Sequence, residues 1–355
     1  MTWLYRLARN VGYVVPKQVD IAASLRKAIR VGRHPPGSRI PTVRELTETC
    51  GAGLPTVHRA LRTLADQGFI IADGRHGTRV VEHPPHLHRF GLILPELPGP
   101  GGRYASMLFQ AQADAAAAID RPDRRVVIHH AINQYPELPA HQTLLGELAA
   151  GMLAGVVLVE QACSSAWLDV RRAGIPAMGA GEPVDGFILD QWQVIIQALE
   201  AIAASGHQRF GFICDGTDIS LRYVSQLAAE AARHGLSIRP AHVHCAPVAV
   251  PGWAGRAVEA CLDPAGGAPP QALIVLNDNL VDSVIAALRA AGAAMLLVQL
   301  ANFPSSAASW RPLLRIGWDQ REVLAGAIDE LVAARTRKGQ CRPVSALLHS
   351  ERFNA

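Results

Sequence analysis

From residue 90 onward the chain alternates short, almost unbroken apolar runs with stretches of helical periodicity, and few folds accept that pattern. The runs are Phe90–Leu94, Arg125–His129, Gly155–Val159, Ile175–Gly179, Arg209–Ile213, His242–Cys245, Ala272–Leu276 and Met295–Leu300. Between them lie Met107–Ile119, Leu144–Leu153, Val194–Ser205, Val224–His234, Gly255–Leu262 and Leu280–Ala291, all suited to helices. A strand apolar on alternate residues has one wet face, whereas a strand apolar throughout is covered on both. Helices that join such strands leave them parallel, so the pattern predicts an α/β body built on parallel sheets. Roughly 265 residues are generous for one sheet. Two similar lobes with a cleft between them are expected, the chain first crossing near Gly186–Gln193.

Ahead of this body the composition changes. Residues 1–85 carry 13 Lys and Arg against 6 Asp and Glu, and the rest of the chain carries 21 against 24. A small basic head on a mildly acidic body suits a module that meets phosphate. The polar, Pro-rich segment from Glu82 to His88 stands at the joint. The expected domains are 1–83, a linker at 84–89, and 90–355.

Within the head, Ile21, Leu25, Ala28 and Ile29 form one apolar stripe on a first helix, ended by Gly32 and Pro35-Pro36. Thr42 and Glu45 have capping-box spacing and open a second helix, Val43–Cys50, which stops at Gly51 and Gly53. Pro55 fits the first turn of a third helix, where a missing N–H costs nothing. Val57, Ala60, Leu61 and Leu64 line its inner face, and His58, Arg59, Arg62 and Thr63 its outer one. Phe69–Ala72 and Thr78–Val81 then read as two strands around Asp73-Gly74-Arg75-His76-Gly77, a strong hairpin signal. Three helices followed by a basic-tipped hairpin make a winged helix-turn-helix. Its third helix suits a major groove, with Arg75, His76 and Arg79 in reach of phosphate or the minor groove.

The string Pro36-Gly37-Ser38-Arg39-Ile40-Pro41-Thr42-Val43-Arg44-Glu45-Leu46 resembles the signature of the GntR family, as do Thr56–Leu64 and Gly68-Phe69-Ile70. The resemblance spans about 65 residues and implies binding to double-stranded operator DNA with Arg44, Thr56 and position 58 at the contact. The charge of the helix face and wing adds Arg39, Arg59, Arg62, Arg75, His76 and Arg79 to the DNA-binding candidates. His58 stands where the family usually has Arg. Ala52-Gly53-Leu54 replaces the family's Val-Ser-Arg or Val-Thr-Arg, and Leu54 cannot make the bidentate guanine contact of an arginine.

In the body, Ala204-Ser205-Gly206-His207-Gln208-Arg209-Phe210-Gly211-Phe212-Ile213 resembles the Gly-His-x-Arg-Ile segment of LacI/GalR-type regulators. Arg222 and Leu276-Asn277-Asp278-Asn279 resemble further segments of those proteins. The likeness implies a two-lobed, periplasmic-binding-protein-like domain of type I that binds a small-molecule effector, often a sugar, whose hydroxyls Arg222 and Asp278 would hold. Ligands of open α/β sheets sit beyond the carboxyl ends of the strands. That rule adds Tyr104, Ser106, Glu160, Asp190 and Trp192 to the candidates. Asp190 and Asp278 stand equally well as helix N-caps, Arg222 as half of an ion pair, and Trp192 as packing. The body departs from the resembled pattern at Ser225, where Gly is usual, and at Gln299-Leu300-Ala301-Asn302-Phe303, where Gly-Phe-Asp-Asp is expected.

Six cysteines without a C-x-x-C pair suit reduced thiols rather than a disulfide framework. His83, His86 and His88, and His242, His244 and Cys245, complete no zinc set by spacing, and no metal is expected. No charged leader precedes an apolar segment and no run approaches the roughly 20 apolar residues of a membrane span, so a soluble, cytoplasmic protein is expected. Gly-x-Ser-x-Gly, Gly-x-x-x-x-Gly-Lys and a strand-linked Gly-x-Gly-x-x-Gly are absent, and Pro98-Gly99-Pro100-Gly101-Gly102 is interrupted by proline. Neither a cofactor nor catalysis is expected. Aminotransferase bodies also follow GntR-type heads, but this body is shorter and lacks an evident cofactor lysine. The expectation is a homodimeric regulator, of repressor type, reading a palindromic operator. The alternatives are a small-molecule binder whose head no longer reads DNA and an enzyme with a regulatory head.

Overall fold

The computed structural model of the chain describes residues 17–74, 77–99, 106–132, 135–159, 164–179, 187–216, 218–247, 250–305, 308–337 and 340–354. The backbone divides into two compact units. One comprises the chain up to Pro95, Ile119–Gly179 and Ile328–Arg342, and the other Glu96–Ala118, Ala180–Ala327 and Pro343–Ala355.

The first unit opens with helices α1 (Lys17–Arg30), α2 (Val43–Cys50) and α3 (Leu54–Asp66), then strands β1 (Ile70–Ala72) and β2 (Thr78–Val80). Helix α2 begins where the sequence requires. The Glu45 amide donates to Thr42 Oγ1 at 3.3 Å, and the Thr42 amide donates to Glu45 Oε2 at 2.7 Å. It ends on Gly51 in the left-handed region, φ 58°. Ile21, Leu25 and Ile29 of α1 meet Val57, Ala60, Leu61 and Leu64 of α3, with Ile40, Leu46, Phe69, Ile70 and Val80 closing the core. The hairpin pairs Ile70 with Val80 and Ala72 with Thr78. Residues 38–40 run alongside it through an isolated bridge at Arg39, the Val80 amide donating to Ser38 O and the Ile40 amide to Thr78 O. The joint is one helical turn, α4 (Pro85–His88). Pro84 and Pro85 are buried there, and the His86 ring stacks on Phe69 at 5.9 Å.

The same unit carries a wholly parallel sheet in the order β4-β3-β5-β6, made of β3 (Arg89–Ile93), β4 (Arg125–His129), β5 (Gly155–Leu158) and β6 (Ala177–Gly179). Helices α6 (Pro139–Ala150) and α7 (Ser164–Arg172) connect β4 to β5 and β5 to β6. Leu144, Leu148, Ala166 and Val170 pack against Ile93, Val156 and Leu158. The basic head and this sheet share more than a chain connection, because Met152 belongs to the head's apolar core. Arg30 lies over Gly151, whose absent Cβ would stand 2.5 Å from the guanidinium Nε. The Arg30 head could swing aside, but that glycine also takes φ 61°, and it is this left-handed turn that favours glycine.

In the second unit β8 (Phe210–Cys214), β9 (Val243–Cys245), β10 (Ala272–Val275), β11 (Leu296–Phe303) and β12 (Leu313–Asp319) run parallel, and β14 (His349–Phe353) closes one edge antiparallel to β12. The order is β14-β12-β11-β10-β8-β9. Helices α5 (Met107–Ile119), α8 (Gln191–Ala204), α9 (Asp218–Arg233), α10 (Trp253–Leu262) and α11 (Val281–Ala290) accompany it, with α12 (Gln320–Ala334) beginning in this unit and continuing into the first from Ile328. A short parallel pair, β7 (Phe187–Ile188) with β13 (Val344–Ser345), completes the elements. Ile213, Leu273, Val275 and Leu297 face Trp253, Val258, Val284 and Leu288, as fully covered strands should.

Strand β12 escapes the sequence pattern because Arg315 stands in its middle. That side chain is 2% exposed, and its charge is met by Glu351 at 2.8 Å and by Ser305 O at 2.7 Å, above the Phe303 ring. A buried cation so paired is tolerated in a strand interior.

Candidate functional site

The outer face of α3 is open. His58, Arg59 and Arg62 are exposed, while Val57, Ala60 and Leu64 on the opposite face are fully buried. Arg59 bends back to the Pro55 carbonyl at 3.3 Å, which leaves the rest of its guanidinium available. Thr56 is half-buried in the first turn, its amide bonded to Gly53 O. Arg44 projects from α2 with its side chain 89% exposed and meets Glu48 at 3.0 Å, one turn on. An exposed pair of this kind holds weakly and exchanges readily for phosphate. Arg39 and Arg79 are neighbours across the wing sheet. Arg79 already faces Asp73 at 2.8 Å, so part of its charge is spent within the hairpin. Arg75 and His76 lie outside the described residues. Leu54, at the head of α3, is 55% exposed.

Of the body candidates, Tyr104, Glu160 and the side chain of Arg222 lie outside the described residues. Asp190 caps α8, its Oδ1 accepting from the Trp192 amide at 3.0 Å. The Trp192 ring sits 5.6 Å from that of Tyr223 on α9. Ser106 directly precedes α5, and the next amide, Met107, donates to Asn279 Oδ1 at 2.8 Å. Ser106 and Asp278 thus flank a single hydrogen bond.

Asp278 is not a surface cap. Asn277 performs that task, accepting from the Asn279 amide at 3.0 Å, and its Nδ2 donates to Asp215 at 2.9 Å. Asp278 is 7% exposed and accepts from Asn302 Nδ2 at 2.8 Å. Gln320 donates to Asn302 Oδ1 at 2.8 Å, and Gln112 of α5 donates to Gln320. Four buried polar side chains from one helix, one turn, one strand and the start of another helix therefore form one relay. Sequence reading found only Asp278 of the four. The available signal was polarity out of place, with Gln112 in an alanine-rich helix and Asn302 in an apolar strand.

Burial raises the Asp278 carboxyl to about 6, even though Asn302 and Arg315 favour its charged form. The folded value lies above the ordinary unfolded value of about 3.9, so the stabilisation is complete below pH 4 and is lost as pH rises to about 6. Asp278→Asn is expected to remove this slope and to stabilise the chain at pH 7.5 by up to ~3 kcal/mol, two pKa units at 1.36 kcal/mol each. Thermal unfolding of both proteins at pH 4.5 and 7.5 reads it. Equal differences between them at the two pH values would refute the assignment.

Residues 17–80 match the family model described as bacterial regulatory proteins of the gntR family, and residues 199–333 match that of the periplasmic binding protein-like domain. A stretch of 106 residues is 31% identical to an uncharacterized HTH-type transcriptional regulator of Streptomyces coelicolor, covering 30% of this chain. The match spans 36% of that protein, little more than a third of its length. Among solved structures, a regulatory protein of the LacI family from Chloroflexus aggregans superposes with a TM-score of 0.56 at 14% identity, over 75% of this chain and 98% of that one. The complex of the transcriptional regulator CelR with cellobiose gives 0.57 at 16% identity, over 89% and 100%. The expected fold is thereby met: a winged helix-turn-helix head of GntR type precedes an α/β body of the periplasmic-binding-protein kind. Among the described residues no helix is long and apolar enough to cross a membrane.

Proposed function

We propose that this chain, with its GntR-type head and periplasmic-binding-protein-like body, is a DNA-binding transcriptional regulator whose operator affinity answers to a small molecule held by the body. The observation that carries the reading is the exposed cationic face of α3, set opposite a fully apolar one and beside a hairpin wing. Such a helix enters a major groove and presents donors to base edges and phosphates. Arg59, Arg62, His58 and Arg44 are assigned to the duplex, with Thr56, Arg39 and Arg79 at its margin.

The effector class proposed is a sugar or another polyhydroxylated molecule. CelR, whose fold the body shares, was solved with cellobiose, and the body offers carboxylate and amide groups at strand ends. A homodimer is part of the proposal, because two recognition helices set about 34–36 Å apart read the half-sites of a palindrome. Repression is the mode proposed.

Fluorescence anisotropy with the duplex that flanks the chain's own gene tests the reading. One sequence should bind far above random DNA, with affinity falling steeply as salt rises, and addition of the correct sugar should change that affinity. Weak binding that is alike for every duplex would favour a second reading, a small-molecule binder with a degenerate head. Leu54, exposed where an arginine would contact guanine, is the feature on its side.

A further inference from the structure

We propose that Cys214 and Cys245 form a peroxide-oxidisable dithiol site at the edge of the second unit's sheet. The two residues are separated by 31 positions in the chain, which is why no C-x-x-C spacing announces them. Strands β8 and β9 place them side by side. Cys214 is the register partner of Cys245 in a parallel pair, so both side chains leave the same face. Their sulfurs are 2.6 Å apart. Neighbouring strands lie about 4.7–4.9 Å apart, within the roughly 4.4–6.8 Å between Cα atoms that a disulfide spans, so closure needs little backbone movement.

The two thiols are unequal in a useful way. Cys214 is fully buried, whereas Cys245 is half-buried on β9, the outermost strand of the sheet. Cys245 also borders an open cleft of about 340 Å³ with His244, Trp253 and Arg256, so small solutes reach this edge. The close contact with the Cys214 sulfur lowers the Cys245 thiol below its ordinary value, against burial and the nearby Asp215 carboxylate, and so favours the thiolate that acts as nucleophile. Cys261 provides the contrast within the same unit. It points at the His242 carbonyl from α10, and burial pushes its thiol up to about 12.

The chemistry balances with hydrogen peroxide as the oxidant. The Cys245 thiolate attacks one peroxide oxygen, the O–O bond breaks, and the departing hydroxide takes a proton to leave as water. Cys245 is then a sulfenic acid. The Cys214 sulfur attacks the Cys245 sulfur, the S–O bond breaks, and a second water leaves with the thiol proton. Two thiols lose two electrons, and the peroxide is reduced to two waters.

Reduced full-length protein treated with hydrogen peroxide, then digested without reductant and mapped by mass spectrometry, tests the site. The expected product is a cross-linked pair of peptides holding Cys214 and Cys245, about 2 Da lighter than their sum and separated again by dithiothreitol. It should form about tenfold faster than exposed Cys50 is oxidised, with Cys261 still alkylatable. In Cys214→Ser, Cys245 should stop at the sulfenic acid and be trapped by dimedone. The wild-type map stands whether or not that variant folds. Both thiols remaining alkylatable once Cys50 is oxidised, or Cys245 advancing to the sulfinic acid without a link, would overturn the proposal.

Discussion

Arg59→Ala combined with Arg62→Ala is expected to weaken operator binding by roughly 10²- to 10³-fold and to leave the melting temperature almost unchanged. Both side chains are exposed, and among the described residues Arg59 bonds only to its own helix. Their removal therefore opens no cavity in the core behind them, where Val57, Ala60 and Leu64 carry the packing. Each contact of an arginine with a base edge or phosphate is worth about 1–3 kcal/mol, so two on one helix face give about 2–6 kcal/mol, and the stated range is the middle of that span. The dependence of affinity on salt should fall as well, by about 0.9 of a counterion for each phosphate that the variant no longer neutralises. Arg172→Ala is the matched control, since that exposed cation sits on α7 beside Asp169 rather than on a helix of the head. A duplex selected from genomic fragments with the intact protein serves as probe. A double variant that binds it as tightly as the wild type, with the same salt slope, would remove the third helix from the interface.

The head was legible because its signals are local. The reciprocal bonds of Thr42 and Glu45, the left-handed Gly51, Pro55 in the first turn of α3 and the short Asp73–Gly77 turn each depend on residues within a few positions. The parallel sheets were legible for a related reason, since a strand covered on both faces must be apolar along its length. Long-range polar partnerships leave no such trace. Asp278, Asn302, Gln320 and Gln112 meet only after the second unit has assembled, and no spacing links positions 112 and 320. Strand β12 left no trace for the same reason, because the carboxylate that makes the burial of Arg315 tolerable lies 36 residues away.

The relay also changes what the body's departures from the LacI/GalR pattern mean. Asn302, which stands in the segment where carboxylates were expected, holds the buried Asp278 in place. An amide can donate to that carboxylate, whereas a second ionised carboxylate at the same position would repel it. Asp278 is therefore the one carboxylate of the relay, held by an amide rather than facing a second acid. Any ligand reaching Asp278 must compete with Asn302 for it.

Gly317→Ala is expected to destabilise the second unit by about 4 kcal/mol or more, a large share of the roughly 5–15 kcal/mol that holds a domain together. Gly317 lies in β12 between β11 and β14, paired with Ala301 on one side and His349 on the other. A Cβ built there falls on the carbonyl oxygen of Ala301, 2.7 Å from its carbonyl carbon and 3.0 Å from its nitrogen. These are backbone atoms of a strand that is itself bonded to β10, so no side-chain rotation relieves the overlap. Relief requires β11 and β12 to separate, and the residue after Ala301 is Asn302, the partner of Asp278. At about 2–4 °C per kcal/mol for a unit of this size, the melting temperature should fall by about 8 °C or more. Gly146→Ala supplies the opposite sign from the same chemical change. That glycine sits inside α6 with nothing within 4 Å of an added Cβ, and alanine there should stabilise by about 0.5–1 kcal/mol. Calorimetry on the two variants decides the matter. A Gly317→Ala protein that melts with the wild type would mean that β11 and β12 do not approach each other this closely.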